Sequence, residues 1–361
     1  MNKNGIITFH GAINYGAALQ AVALNKCLTD IQGNSEIIDY KNEKFKKLYG
    51  FQTDFKTKNL LKKFILIIIK NCFFIVKKIK FNIFLKKYST ISKRKYFLNN
   101  IKQANNDYDC IITGSDQVFN LELTGNDKTY FLDFADENKI KSYAASFGFE
   151  YLDTNLESIY KHLLNRFSYL SIREKSGCCI CNKLVTKKIY QHVDPTLLLT
   201  GLQWKDLLKL KIRDNREKYI LLYTVATPDK LINYVEKMAN EMNLDVIEIG
   251  NNLKKTRKNF KYLRSCGPKE FLDLILNAQF IATTSFHGTA FGILFHKKMW
   301  IETVDSFGKN NVRINSLLDI CGIRKTNNET LICLENTDWD LVEDNLNKQR
   351  NYSFEYLKQI Q

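Results

Sequence analysis

Short apolar runs and helix-spaced apolar stripes alternate along nearly the whole chain. Gly5 to Phe9 forms the first run, and the loop HGAINYGA follows it. Leu24, Cys27, Leu28 and Ile31 then recur at helical spacing, and Gly33 stands where a helix would stop. Glu36 to Tyr40 reads as a second strand. A strand–helix–strand opening favours a parallel sheet with helices on its faces. Further strands are expected at Tyr108 to Thr113, Ile140 to Ser146, Tyr169 to Arg173 and Ile189 to Val193, with helices between or after them. Asp194-Pro195 breaks the pattern and begins the passage to a second domain.

The second half repeats the alternation. Tyr219 to Val225, Asp245 to Ile249, Phe280 to Thr284 and Lys298 to Val304 read as strands. Leu231, Val235, Met238 and Met242 mark one amphipathic helix. Phe271, Leu272, Ile275 and Ala278 mark another, with Pro268 suited to its first turn. Ile314, Leu317, Leu318 and Cys321 line a third, with Gly322 just past its end. The expected fold class is α/β, with two Rossmann-like domains facing a cleft, similar to the GT-B layout of many glycosyltransferases. The expected boundaries are 1–200 for the first domain and 201–336 for the second, with a helical tail over 337–361 that crosses back. Residues 41–98 interrupt the alternation and read as a basic, apolar insertion in the first domain.

Length and composition agree with this picture. A chain of 361 residues suits two domains of about 150 residues each. Three prolines and sixteen glycines argue against fibrous or linker-rich architectures. The net charge is +16, and seventeen Lys or Arg fall between Lys41 and Lys95 against only Glu43 and Asp54. That segment carries nearly all the excess, and the rest is close to neutral. No nucleic-acid-binding module surrounds it, so nucleic acid is not an expected partner. An anionic membrane surface contacted through residues 56–95 fits better. The stretch LLKKFILIIIKNCFFIVKKIKFNIFLKK is a poor spanning helix, because Lys70, Lys77 and Lys78 interrupt every window of eighteen. It either lies in the interface with lysines toward headgroups or packs on the protein's own surface.

Nine cysteines, odd in number and irregular in spacing, read as free thiols of a reducing compartment. The start MNKNGIITFH runs straight into a strand, so a cytoplasmic protein is expected, peripheral at the inner face of the cell membrane. Cys178, Cys179 and Cys181 lack a second pair at ligand spacing, so no metal site is expected.

Three loops carry the candidate chemistry. TTSFHGTAFG, residues 283–292, follows a strand and opens a helix. That puts His287 at the carboxyl end of a strand, where open α/β sheets bind ligands. An imidazole there can move a proton near neutral pH, and the amides of Gly288 and Thr289 can face an anion. The other reading is a histidine that only ties down its loop. TGSDQVFN, residues 113–120, offers Ser115, Asp116 and Gln117 to sugar hydroxyls, or is a strand-to-helix turn capped by Asp116. HGAINYGAALQ, residues 10–20, frames Asn14 and Tyr15 with glycines and matches neither a Walker loop nor a dinucleotide fingerprint. Arg173 in YLSIRE and Arg313 in NNVRINSLL are candidate anion clamps, because the guanidinium fork matches carboxylate and phosphate.

Eight segments in order resemble the polysaccharide pyruvyltransferase family over nearly the whole chain: GIITFHGAINYGAALQAVAL, EIIDY, YDCIITGSDQVFN, KSYAASFG, LSIREKSG, HVDPTLLL, GPKEFLDLILNAQFIATTSFHGTAFGILF and NVRINSLLDICGIR. The resemblance implies a GT-B-like fold and phosphoenolpyruvate as the donor substrate, with no cofactor. It implies a pyruvate ketal placed on a sugar or lipid-linked oligosaccharide acceptor. The family's histidine-glycine motif falls on His287 and Gly288, and its arginine after the last strand of the first half falls on Arg173. Other members carry an arginine two residues before that histidine, where this chain has Ser285, as a large SFHG-type subgroup does. On this reading His287 is catalytic. Arg173, Arg313, Ser285, Gly288 and Thr289 bind the donor, and Asn14, Tyr15, Ser115, Asp116 and Gln117 bind the acceptor. Two other readings stay open: a glycosyltransferase using a nucleotide sugar, and a non-catalytic membrane-associated glycan assembly factor.

Overall fold

A computed structural model of the chain describes residues 3–50, 60–213, 218–225, 229–250, 257, 260–303, 311–323 and 331–360. Strands β1 (Asn4–Ile7), β2 (Ser35–Tyr40), β3 (Ile91–Tyr96), β4 (Cys110–Thr113) and β5 (Ile140–Ser142) form a sheet in the order β3-β2-β1-β4-β5. All its pairs are parallel. β6 (Leu170–Ile172) and β7 (Ile189–Gln191) pair in parallel and extend it through the bridges Lys141–Tyr169 and Ala145–Ile172.

The second sheet contains β8 (Tyr219–Tyr223), β9 (Asp245–Ile249), β10 (Phe260–Leu263), β11 (Phe280–Thr283), β12 (Lys298–Glu302) and β13 (Leu331–Leu334). Its order is β10-β9-β8-β11-β12-β13, and only β13 runs antiparallel. Every residue of β1, β4, β8 and β11 is buried, as expected of central strands covered by helices on both faces. Strand order reverses between β1 and β4 in one sheet and between β8 and β11 in the other. Ligands of open α/β sheets bind at such reversals, beyond the carboxyl ends of the strands.

Residues 41–98 are not an insertion added to a finished domain, which corrects the reading from sequence. The helix Leu60–Tyr88 is the crossover between β2 and β3, and β3 is the edge strand of the first sheet. The sequence hides β3 because ISKRKY exposes three consecutive basic residues, as an edge strand can. Phe81, Phe84 and Leu85 of the helix are buried in a core shared by both domains. Lys80 pairs with both oxygens of Glu270, at 2.7 and 2.8 Å, in the second-domain helix Pro268–Asn277. Residues 56–59, part of the segment assigned to a membrane, lie outside the described residues.

The last helix, Trp339–Gln359, joins the two halves. Near its start Glu343 pairs with His296 at 3.1 Å. Further along, Arg350 Nε donates to the Leu197 carbonyl at 2.8 Å, and Tyr356 donates its hydroxyl to the Ser142 carbonyl at 2.9 Å.

Candidate active site

The two strand-order reversals face each other. After β1, the Asn14 side chain accepts the Ala17 N–H at 3.3 Å and caps the helix Tyr15–Gln32. After β11, Ser285 Oγ accepts the Gly288 N–H at 3.3 Å and caps the helix Phe286–Leu294. The two helix starts meet at Gly16 and His287. A Cβ on Gly16 would lie 1.9 Å from His287 Nδ1, so the imidazole rests on bare backbone.

Asp194 lies under the imidazole and is fully buried. Its Oδ1 accepts from the Thr196 N–H at 3.0 Å and from the Thr196 hydroxyl at 2.8 Å. Its Oδ2 accepts from Arg173 Nη1 at 2.7 Å and Ser115 Oγ at 3.1 Å, and lies 3.7 Å from His287 Nε2. One carboxylate thus gathers groups from the ends of β4 and β6 and from the second domain. Burial by itself would raise the Asp194 carboxyl. His287, Arg173 and the Thr196 amide outweigh burial and hold it well below the usual carboxylate range.

Arg173 is equally enclosed. Burial alone would lower the guanidinium, but Asp194 and Glu174 keep it above its ordinary value. Its Nε lies 3.6 Å from Glu174 Oε2, and its guanidinium carbon sits 4.7 Å from the centre of the Phe286 ring. Glu174 Oε1 is fixed by Ser146 Oγ at 2.8 Å and by the N–H groups of Phe147 and Gly148 at 2.8 and 3.2 Å. Among the described residues, Arg173 Nε, Arg173 Nη2 and His287 Nε2 are buried without a hydrogen-bond partner, and so is the acceptor Glu174 Oε2. Arg313, on the helix Asn311–Ile320, lines one small cavity with Arg173, Glu174, Asp194 and Phe286. Burial and the facing Arg173 push the Arg313 guanidinium down. The cavity measures about 10 Å³, room for one water.

The structure thus brings together His287, Arg173, Arg313 and Ser115. It gives several other candidates different work. Ser285 is spent on the cap, and the Gly288 N–H with it. The Thr289 N–H and hydroxyl both donate to the Ser285 carbonyl, at 2.9 and 3.0 Å. Both amides are bonded within the helix start. Ser115 is fully buried, and its hydroxyl lies 2.8 Å from the Ala144 carbonyl and 3.1 Å from Asp194 Oδ2.

Tyr15 is placed between the domains. It is buried, donates its hydroxyl to the Cys266 carbonyl at 2.9 Å, and stacks on Phe271 at 4.4 Å, joining the two domains. Asp116, with φ of 66°, accepts the N–H of Gln117 within its own turn. Gln117 is half-buried against Gly148, where a Cβ would lie 2.0 Å from its Oε1. Asn14 keeps a partly exposed side chain beside its capping role.

Asp194 and Glu174, which reading the sequence did not single out, hold Arg173 at the centre of the candidate site. Asp194 looked like a chain breaker because proline follows it. The available signal was its place just beyond β7, beside the strand that carries Arg173. Cys178 and Cys181 sit three apart on the helix Lys175–Leu184, and burial pushes the Cys178 thiol up to about 12. No group of three or more metal-ligating side chains occurs among the described residues.

Two Rossmann-like sheets closing on a charged cleft define a protein of GT-B layout. The chain belongs to the polysaccharide pyruvyl transferase family, which matches residues 14–306, and it is therefore a transferase of polysaccharide pyruvylation. Solved structures share the layout along its whole length. A Listeria monocytogenes protein assigned as a UDP-N-acetylglucosamine 2-epimerase superposes with a TM-score of 0.51 at 9% identity, covering 99% of this chain and 91% of that one. The UDP-GlcNAc 2-epimerase of Methanocaldococcus jannaschii, in complex with UDP-GlcNAc and UDP, gives 0.47 at 16% identity, covering 97% and 99%. MurG of Acinetobacter baumannii gives 0.40 at 11%, covering 99% and 98%. At such identities the likeness concerns the fold alone. Curated proteins give no match.

Proposed function

We propose that this enzyme takes phosphoenolpyruvate as donor and builds a pyruvate ketal on a sugar of a surface polysaccharide or its lipid-linked precursor. One observation supports the reading most. Arg173 Nε, Arg173 Nη2 and His287 Nε2 are buried without partners around Asp194. Buried polar groups without hydrogen bonds cost about 1–3 kcal/mol each, and an oxygen-rich anion would satisfy them. The Arg173 fork suits a carboxylate or phosphate, and Arg313 supplies a second cation on the same cavity. The walls must separate to admit such a donor, since the cavity holds only one water.

The chemistry follows from the donor. A proton added to C3 of the enol leaves C2 electrophilic, and the former double-bond electrons become the new C–H bond. One sugar hydroxyl attacks C2 and releases its proton. A second hydroxyl then closes the ketal as the C2–O bond to phosphate breaks. Of the two hydroxyl protons, one balances that added to C3 and the other leaves with phosphate. His287 relays these protons, and Asp194 steadies the imidazole while it is charged.

The test is an assay of phosphate release and ketal formation with phosphoenolpyruvate and a glycan acceptor. His287→Ala should unfold like the parent protein and lose about 10²–10⁴-fold in rate. Full activity in that variant would remove His287 from the mechanism. Phosphoenolpyruvate, and not UDP-sugars, should raise the melting temperature. The opposite pattern would remove the donor assignment.

A further inference from the structure

We infer that the outer face of the helix Leu60–Tyr88 docks this enzyme on an anionic lipid bilayer. The inner face of that helix is spent on the core through Phe81, Phe84 and Leu85. The outer face carries Ile65, Ile69, Val76, Ile79 and Ile83, which recur at three, four or seven residues and so form one stripe. They are between 41% and 59% exposed, and Phe64 beside them is 62% exposed. A contiguous apolar face of this kind marks a contact surface. No helix among the described residues is long and apolar enough to cross a membrane, so the face would lie along a bilayer and not through it.

The charges around the stripe indicate what covers it. The helix contains no Asp or Glu. Lys86 follows Ile79 and Ile83 on the same face, and with Lys93 and Lys95 it lines a cavity of about 470 Å³ at the end of the stripe. Asp39 lines that cavity too, but His10 at 3.0 Å and Lys41 at 2.5 Å hold it. An anionic bilayer offers hydrocarbon to the stripe and headgroup phosphates to the lysines. A second copy of the chain is a poorer occupant. A two-fold contact would set this helix against itself, bringing lysines together with no carboxylate of the helix to offset them.

The inference is independent of the donor assignment. Its test is sedimentation of the full chain with vesicles of phosphatidylcholine alone or with one-third phosphatidylglycerol. Wild type should bind the anionic vesicles at least tenfold more tightly, and salt should weaken that binding. Ile79→Glu with Ile83→Glu should lower the affinity at least tenfold. Lys86→Glu with Lys93→Glu should erase the preference for anionic lipid.

Cys72 is exposed on the same helix and gives a readout that needs no substitution in the face. With Cys179→Ser and Cys333→Ser in place, a polarity-sensitive label on Cys72 should shift to the blue on anionic vesicles. Wild type that ignores vesicles, an unshifted label, or a lipid-free dimer that Ile79→Glu with Ile83→Glu splits would each overturn the inference.

Discussion

The cleft and the outer face of the long basic helix depart from ordinary side-chain placement in opposite directions. The cleft buries charge: Asp194, Glu174 and Arg173 are all nearly inaccessible, with two arginine nitrogens and one imidazole nitrogen left without hydrogen bonds. The helix exposes hydrocarbon, while its opposite face seals the core. Neither arrangement favours stability by itself. A buried ion pair seldom repays its desolvation, and exposed isoleucine gains nothing from burial. The difference lies in what is missing. The cleft leaves Arg173 and His287 nitrogens unpaired, which an anionic donor would satisfy. The outer face of the helix is left exposed among the described residues, and a lipid surface would cover it.

The largest expected effect comes from removing the centre of the cleft. Asp194→Ala leaves Arg173 buried without its partner and should cost roughly 3–5 kcal/mol in urea unfolding, together with activity. Gly16→Ala drives a methyl into the imidazole of His287. It should cost roughly 1–3 kcal/mol and lower kcat by displacing the histidine. Tyr15→Phe breaks one hydrogen bond between the domains and should cost about 1 kcal/mol. Ile79→Ser on the exposed face should fall within about 0.5 kcal/mol of wild type. If the helix variant costs as much as the cleft variant, that face is part of the core and the contrast is lost.

Acid titration separates two further groups. His192 is packed among Tyr143, Tyr190 and Tyr356, and burial lowers it to about 3. An unfolded histidine takes up its proton near pH 6.5. The stability from a neutral His192 is therefore fully present above about pH 6.5 and is lost as pH falls toward about 3. His192→Gln should flatten melting temperature over that range. The Asp194 carboxyl is also depressed, so its contribution persists above the ordinary carboxylate range and is lost only as pH falls below it. A variant that flattens the profile near pH 5 without touching His192 would reassign the first of these steps.

Much of the fold was legible from period and punctuation. β1, β4, β8 and β11 lie in mainly apolar runs, and the Tyr15–Gln32 helix ends at Gly33, which takes the left-handed conformation. β3, β10 and β13 were not legible, because edge strands need only one covered side and carry polar residues such as Lys93, Arg94 and Lys95. Of the site, His287, Arg173 and Arg313 could be named because each stands beside an ordered element in a local motif. The interdomain packing of Tyr15 was not legible, because a tyrosine in a glycine-framed loop looks like a ligand. Its neighbours Cys266 and Phe271 lie some 250 residues along the chain.

Sequence alone determined the alternation of strands and helices, the concentration of positive charge between Lys41 and Lys95, and the identity of the imidazole and guanidinium groups. Hydrophobic period and charge are local properties, so they can be read without coordinates. Only the tertiary structure decided that Asp194 holds Arg173 and Ser115 beneath His287, and that the basic helix turns one apolar face inward and another outward. Those outcomes depend on which segments the parallel sheets bring side by side, and non-local pairing leaves no periodic trace in the chain.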